Sequence, residues 1–335
     1  MRIQDLCISD LPVFFIKLFA FTFVFPVHIL FSDILSGDDD LNKTVFTGSA
    51  CAIVTPFDES KKVDYKTFRK LIEFQIENGT DAIVVCGTTG EGSALDTRER
   101  KQLVKAAVKQ AEGRVPIIAG TGSNCTEAAV KRSCAAQDAG ADAVLVVTPY
   151  YNKCSQDGLC RHYAYISDRI GIPMIVYNVP SRTGVNIQPE TYLELSRINH
   201  VVGTKEANGD LSALMKTLCL CGDGLDIYCG NDDQSAAFIA MGAKGTISVL
   251  ANIMPREAHG IAAAALEGNI RESAELQLKY LRMCNELFCD VNPIPVKYAM
   301  GEAGLCSGLC RLPLCETTEK NKARLLNVLA RYDLI

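Results

Sequence analysis

Length, composition and charge narrow the classes of protein to which this chain can belong. Its 335 residues can bury one large core, and a formal net charge of -5 argues against a nucleic-acid partner. Fifteen cysteines are scattered through the chain without paired CxxC motifs, some of them in apolar runs, such as Cys86 and Cys229. This pattern indicates a reduced, cytoplasmic compartment rather than a disulfide scaffold.

The first 44 residues differ from the rest. Residues 11–31 form a mostly apolar run long enough for a membrane-spanning helix, but Lys17, Pro26 and His28 interrupt it. Asp5 and Asp10 are atypical of a signal peptide, and no small-residue cleavage site follows. We interpret residues 1–44 as an extension outside the functional domain, as a start assigned too early would produce. A signal peptide and a membrane anchor are the alternatives, and we expect the fold to begin near residue 45.

Short runs rich in Val and Ile then alternate with longer amphipathic segments, as in successive βα units. Eight runs are predicted as strands: residues 50–55, 82–86, 116–119, 143–148, 174–178, 201–205, 226–229 and 245–249. Several of them are almost continuously apolar, as parallel strands buried on both faces should be. Eight such strands predict a TIM (β/α)8 barrel.

Helices are predicted between and after these strands. Residues 65–78 place Phe68, Leu71 and Ile72 on one stripe and stop at Gly79, and similar glycine stops occur at residues 113, 140 and 242. Residues 256–266, 270–288 and 320–332 read as helices beyond those that a barrel requires. We therefore predict a catalytic barrel at residues 45–268 and a C-terminal helical subdomain at residues 269–335.

Lys205 ends the sixth predicted strand and is the candidate nucleophile. Reactive groups in such barrels stand at the carboxyl ends of the strands, and an amine there can condense with a ketone. A lysine considered alone would be interpreted as a solvated strand cap. The other strand ends favour the catalytic interpretation.

Those strand ends supply groups suited to small carboxylates. Residues 87–92 after the second strand are rich in glycine and include Thr88 and Thr89, whereas a phosphate-binding P-loop would require a Lys followed by Ser or Thr. The fourth strand is followed by paired tyrosines, Tyr150 and Tyr151, which by themselves could be packing residues. The fifth ends with Tyr177 and leads to Arg182, whose guanidinium suits a carboxylate.

These side chains together suggest a mechanism. A neutral Lys205 could attack a keto acid, while a tyrosine hydroxyl linked through a threonine hydroxyl to a second tyrosine could relay protons before an enamine attacks an aldehyde. A metal-dependent aldolase would need converging ligands, and the four histidines, at positions 28, 162, 200 and 259, do not converge in this layout. The cysteines at 219, 221, 306, 310 and 315 lack the neighbouring histidines expected of a zinc site.

Six stretches, GTTGE, TPYYN, YNVPSRTG, GTKEANG, GNDD and NPIPVKYAMGEAG, occur between residue 45 and the C-terminus. As an ordered set they resemble the dihydrodipicolinate synthase family within the N-acetylneuraminate lyase superfamily. The resemblance implies a cytoplasmic class I aldolase that joins pyruvate to L-aspartate 4-semialdehyde in lysine (diaminopimelate) biosynthesis. It also implies a covalent Schiff base, no cofactor or metal, and a homotetramer built as a dimer of dimers.

The resemblance assigns four catalytic residues by position. Lys205 is similar to the lysine that forms the Schiff base, and Tyr177 to the general acid and base. Thr88 and Tyr151 are similar to its relay partners, with Tyr151 reaching into the neighbouring subunit.

Four further positions resemble substrate-binding residues of the family. Thr89 corresponds to a contact for the pyruvate carboxylate, Arg182 to the arginine that holds the semialdehyde carboxylate, and Gly230 and Ile247 to the lining of the pyruvate pocket. Sialic-acid lyases and ketodeoxy-sugar aldolases share the lysine and tyrosine but generally lack SRTG. Arg182 therefore favours a short acidic aldehyde over a sugar.

Two further expectations concern regulation and the rival class of function. Asn124 and Tyr150 match the lysine-binding set of bacterial relatives, but Thr97, Arg100 and Ala128 depart from it. We expect weak or absent feedback inhibition, which half-maximal inhibition by submillimolar L-lysine would contradict. The apolar run at residues 11–31 motivates the rival, a membrane-tethered protein that binds a keto acid without turnover; a complete proton relay would serve no purpose there.

Overall fold

In the computed structural model, eight parallel strands form a closed barrel. The structure describes residues 44–335. The strands are β1 (Gly48–Ala52), β2 (Ala82–Val85), β3 (Ile117–Gly120), β4 (Ala143–Val147), β5 (Met174–Asn178), β6 (Val201–Glu206), β7 (Asp226–Cys229) and β8 (Gly245–Ser248). Each pairs with its successor in the chain, and β8 closes the barrel on β1 with Ile247 opposite Ala50. The predicted TIM barrel is confirmed.

The first strand lies earlier in the chain than predicted. It spans Gly48–Ala52 rather than residues 50–55. The apolar run continues past its end, but the amide of Val54 donates to the side chain of Asn252 at 2.9 Å instead of extending the ladder. The apolar pattern therefore extends beyond the residues that pair as a strand.

Helices surround the barrel. They are α1 (Tyr65–Glu77), α2 (Thr97–Ala111), α3 (Thr126–Gln137), α4 (Gln156–Ser167), α5 (Pro180–Thr183), α6 (Pro189–Leu195), α7 (Leu211–Cys221), α8 (Ser235–Ala240) and α9 (Pro255–Leu266). Asp64 caps α1 by accepting from the amides of Lys66 and Thr67, and Gly79 follows it at φ +82°. The three other predicted glycine stops, at residues 113, 140 and 242, also adopt positive φ.

Three further helices follow α9. They are α10 (Ile270–Glu286), α11 (Ile294–Glu302) and α12 (Glu319–Arg331). The helices predicted at 256–266, 270–288 and 320–332 are present with ends shifted by one or two residues, whereas α11 was not predicted. The described residues all belong to one compact unit. The predicted division into a barrel and a C-terminal helical subdomain after residue 268 therefore stays a prediction.

Apolar side chains fill both the barrel and the layer between strands and helices. The inner cluster includes Val84, Ile118, Ile175 and Ile247. Phe46, just before β1, stacks on Tyr228 with ring centroids 4.3 Å apart, at the amino ends of the strands. The opposite end, where the strands finish, is left for polar side chains.

Within residues 44–335, no helix is long and apolar enough to cross a membrane. The apolar run at residues 11–31 and His28 lie outside the described part of the chain.

Candidate active site

Lys205 lies on β6 directly opposite Tyr177 on β5. Both side chains are buried, and the Lys205 ammonium nitrogen is 4.7 Å from the centroid of the tyrosine ring. The pKa of Lys205 is lowered to about 8, mainly by burial and to a lesser extent by the charge of Arg182, while Asp232 and Cys229 oppose the change. About a tenth of the amine is therefore uncharged at pH 7, far more than for an ordinary lysine, and the uncharged form is the nucleophile.

A cavity of about 210 Å³ lies at the carboxyl ends of the strands, above Lys205. Six of the eight predicted site residues line it: Thr88, Thr89, Tyr177, Arg182, Lys205 and Gly230. Because the carboxyl ends of the strands meet at one end of the barrel, groups that are more than a hundred residues apart in the chain lie together here.

The remaining two predicted site residues do not line this cavity. Ile247 is buried on β8 in the inner apolar cluster. Tyr151 lies in the loop after β4 with φ +71° and is 91% exposed. Within this single chain, Tyr151 is therefore not part of the group around Lys205.

Gly230 is needed because of its close approach to the nucleophile. A Cβ atom at this position would lie 2.8 Å from the Cβ of Ala207, 3.0 Å from the carbonyl oxygen of Glu206 and 3.1 Å from Cε of Lys205. Any larger residue would push against the lysine side chain. The absence of a side chain therefore helps to leave room for a ligand next to the amine.

Tyr177 has a neutral phenol under ordinary conditions. Burial raises its pKa, while the charge of Arg182 and a hydrogen bond with the Thr88 side chain oppose the rise. A neutral phenol can donate a proton to a leaving hydroxyl and can accept one afterwards. A proton relay through Thr88 stays a prediction.

Arg182 lies on the short helix α5, which begins with Pro180 immediately after β5 and Val179. Its side chain is exposed, lines the cavity and donates to the carbonyl oxygen of Asn292 at 3.4 Å. A guanidinium in this position can hold a carboxylate at the entrance while Thr89, which is buried, lies deeper.

The comparisons with known proteins agree with this geometry. Residues 45–331 match the model of the dihydrodipicolinate synthetase family. The chain belongs to this family. The resemblance carried by the six sequence motifs is confirmed.

Individual relatives of the dihydrodipicolinate synthetase family match over nearly their whole length. The 4-hydroxy-tetrahydrodipicolinate synthase of Geobacter metallireducens is 50% identical over 291 residues, which cover 87% of this chain and 100% of the relative. That of Clostridium perfringens is 51% identical over 277 residues, covering 83% of this chain and 95% of the relative. The structure of the dihydrodipicolinate synthase of Acinetobacter baumannii, complexed with pyruvate, has a TM-score of 0.85 and 42% identity, covering 87% of this chain and all of that chain.

A second cavity, of about 280 Å³, adjoins the first and shares Thr88, Tyr177, Arg182 and Asn292 with it. It extends to Tyr150 and Arg100. The Arg100 guanidinium donates to the carbonyl oxygens of Gly92 and Gly120, the latter at 3.1 Å. A fixed positive charge here would repel a lysine ammonium, but weak feedback inhibition in this family member stays a prediction.

Sequence reasoning missed several residues around the site. Asn292 lines both cavities, although the NPIPVK motif to which it belongs was recognised without a role. Asp232 is buried beside the site and accepts from the amides of Val249 and Leu250 at 2.9 and 2.8 Å. Glu91 forms a buried ion pair with Lys297, and GTTGE and NPIPVK are the signals that could have pointed to it.

Two histidines outside the site have local partners. His162 Nδ1 contacts Thr126 Oγ1 at 2.9 Å, and His259 Nδ1 contacts Asp81 at 2.8 Å. The fourteen cysteines of the described part are free thiols. In residues 44–335, no group of three or more His, Cys, Asp or Glu side chains is arranged to hold a metal ion.

Proposed function

We propose that this protein is an enzyme that condenses pyruvate with L-aspartate 4-semialdehyde to give 4-hydroxy-tetrahydrodipicolinate, the step that commits carbon to lysine by the diaminopimelate route. The observation that carries the proposal is the buried Lys205 amine, with a pKa of about 8, facing Tyr177 in a cavity that also contains Arg182 and Thr89. The curated relatives that are about half identical in sequence are named as this synthase.

The proposed reaction begins with attack by neutral Lys205 on the ketone carbon of pyruvate. Tyr177 donates a proton as water leaves the carbinolamine, which gives an iminium. Tyr177 then takes a proton from the pyruvate methyl group, and the carbon of the resulting enamine attacks the aldehyde, whose oxygen is protonated to a hydroxyl. The amino group of the semialdehyde finally attacks the iminium carbon, which closes the ring and releases the Lys205 amine. Buried Asp232, whose charge raises the pKa of Lys205, also favours the cationic iminium.

The other predicted residues take supporting roles in this proposal. Thr88 and Tyr151 relay the proton between Tyr177 and solvent, with Tyr151 supplied by a neighbouring subunit of a homotetramer. Its 91% exposure and position after β4 fit a side chain that completes another subunit's site. Thr89 and Arg182 hold the two substrate carboxylates.

Gly230 and Ile247 shape the pyruvate pocket, the first by leaving space and the second as part of the wall packed behind it. We propose no cofactor and no metal, because the Schiff base supplies the electron sink. Free thiols throughout the described residues fit the proposed cytoplasmic location.

The alternatives are less well supported. A sugar-acid lyase would gain nothing from Arg182, and a keto-acid binding protein has no use for a depressed lysine pKa opposite a phenol. No observation in residues 44–335 favours either one.

Intact mass after sodium borohydride treatment tests the mechanism. We expect a pyruvate-dependent adduct on the wild type and on Lys70→Ala, an exposed lysine on α1, but none on Lys205→Ala. Absence of the adduct from folded wild-type protein would contradict the mechanism. An adduct without consumption of aspartate 4-semialdehyde would identify a class I aldolase with another aldehyde substrate.

A further inference from the structure

Asn292 connects the two proposed carboxylate sites. It lies between α10 and α11, is buried, and lines both cavities. Its side-chain Nδ2 donates to Thr89 Oγ1 at 3.0 Å, and its backbone carbonyl accepts from Arg182 at 3.4 Å. The residue therefore contacts both groups that are proposed to hold substrate.

One polar atom of Asn292, the side-chain oxygen Oδ1, takes no part in these contacts. Its Oδ1 is buried and has no hydrogen-bond partner among residues 44–335. An unpaired buried acceptor costs about 1–3 kcal/mol, so such atoms are uncommon in folded proteins. Because this one belongs to a residue in the cavity walls, the partner expected for it is a donor on a bound ligand.

The chemistry of the substrates identifies that donor. Pyruvate carries a carboxylate and a ketone and has no N–H or O–H group. Aspartate 4-semialdehyde carries an ammonium on the same carbon as its carboxylate. If that carboxylate is held by Arg182, the ammonium lies one carbon away, beside the residue that Arg182 already contacts.

We infer that Asn292 is a further substrate-binding residue, whose Oδ1 accepts a hydrogen bond from the ammonium of the aldehyde substrate and so selects an amino-bearing semialdehyde. This inference rests on the proposed function. A neutral amide is suited to the role because it accepts from the ammonium without repelling either substrate carboxylate, as an aspartate would.

The test compares two aldehydes in the presence of pyruvate. Aspartate 4-semialdehyde and 4-oxobutanoate have the same aldehyde-to-carboxylate spacing, and only the first has an amino group. We expect Asn292→Ala to lower kcat/KM for aspartate 4-semialdehyde at least about tenfold, the usual effect of losing a hydrogen bond to a charged group. For 4-oxobutanoate, followed by turnover or as a competitive inhibitor, the change should stay within about threefold.

Thr89→Val is the matched control, because it removes the other partner of the Asn292 side chain but leaves Oδ1 in place. It should raise KM for pyruvate without changing the preference between the two aldehydes. Asn292→Asp retains an acceptor and should keep or increase the preference, which provides a second test if Asn292→Ala does not fold.

Three results would overturn the inference: an equal loss for both aldehydes in Asn292→Ala, a lost preference in Thr89→Val, or a fall in preference in Asn292→Asp. Wild-type protein that forms the pyruvate adduct but does not consume aspartate 4-semialdehyde would overturn the proposed function as well. Wild-type turnover with an unchanged preference in Asn292→Ala would overturn only the role of Asn292.

Discussion

The chemical role proposed for Lys205 opposes the stability of the fold. Its pKa in the folded protein is about 8, against an ordinary value of 10.5. Between these pH values the unfolded chain binds more protons than the folded one, so the free energy of unfolding rises with pH. Below pH 8 the folded protein carries the full cost of burying a charged amine. We predict that Lys205→Met is more stable than the wild type at pH 7 by about 3 kcal/mol, the equivalent of the lowered pKa. Urea unfolding at pH 7 checks this.

The free energies of unfolding of the wild type and Lys205→Met should converge as the pH is raised from 8 towards 10.5, because the wild type then loses the cost of burying a charged amine. Lys70→Met, which removes an exposed lysine from α1, serves as the control and should follow the wild type at every pH. A Lys205→Met protein that is less stable than the wild type at pH 7 would show that burial of the amine is not costly.

The positions of the two proposed reacting groups could be predicted from the sequence, but those of the groups around them could not. Lys205 and Tyr177 were found because a parallel barrel places its reactive groups at strand ends, a rule that needs only the local sequence. Asn292 acts on Thr89 from 203 positions away, and no local pattern encodes such a contact. Tyr151 was inferred from the resemblance alone, and the single chain leaves its role a prediction.

The element that most constrains the site is α11. Its Lys297 Nζ donates to Glu91 Oε1 at 2.6 Å and to the carbonyl oxygen of Thr55 at 2.9 Å, and both charged side chains are fully enclosed. Glu91 has φ +50° and lies two residues after Thr89. The ion pair therefore ties the loop that carries Thr89 to the C-terminal helices.

We predict that Lys297→Met destabilises the protein by about 3–5 kcal/mol, because the Glu91 carboxylate is left buried without its counter-charge. KM for pyruvate should also rise, since the loop that carries Thr89 loses this anchor. Chemical unfolding and steady-state kinetics provide the two measurements.

The double variant Glu91→Gln, Lys297→Met removes both charges and should recover part of that stability. Arg197→Met breaks an exposed pair with Glu194 and should cost under about 1 kcal/mol. Equal losses in Lys297→Met and Arg197→Met would mean that the buried pair does not anchor the loop.

Sequence patterns predicted the eight strands of this barrel but did not predict helix α11. Strands buried on both faces give continuous apolar runs, and all eight were located. The residues that lead into α11 are Asn292, Pro293, Ile294 and Pro295, which read as a helix-breaking stretch. Pro295 is tolerated because it lies at the second helical position, where no backbone donor is needed.

On the scale of the whole molecule, the described fold begins with contacts made just before β1. The family match starts at residue 45. Phe46 stacks on Tyr228, whose hydroxyl donates to the Phe46 carbonyl oxygen at 2.9 Å. Thr44 interacts with Asp226, where its hydrogen bond opposes the rise that burial causes in the carboxyl pKa. The minimum functional chain should therefore retain Thr44 and Phe46.

Two truncations test where the functional chain begins. Deletion of residues 1–43 should leave Tm and kcat/KM unchanged, because the barrel, the cavity and the family match all lie beyond them. Deletion of residues 1–47 also removes Phe46 and should cost about 3–5 kcal/mol, as loss of a buried aromatic side chain does. Thermal unfolding and aldehyde consumption distinguish the two. If the shorter deletion alone abolished folding or activity, residues 1–43 would be part of the functional protein and our interpretation of them as an extension would be wrong.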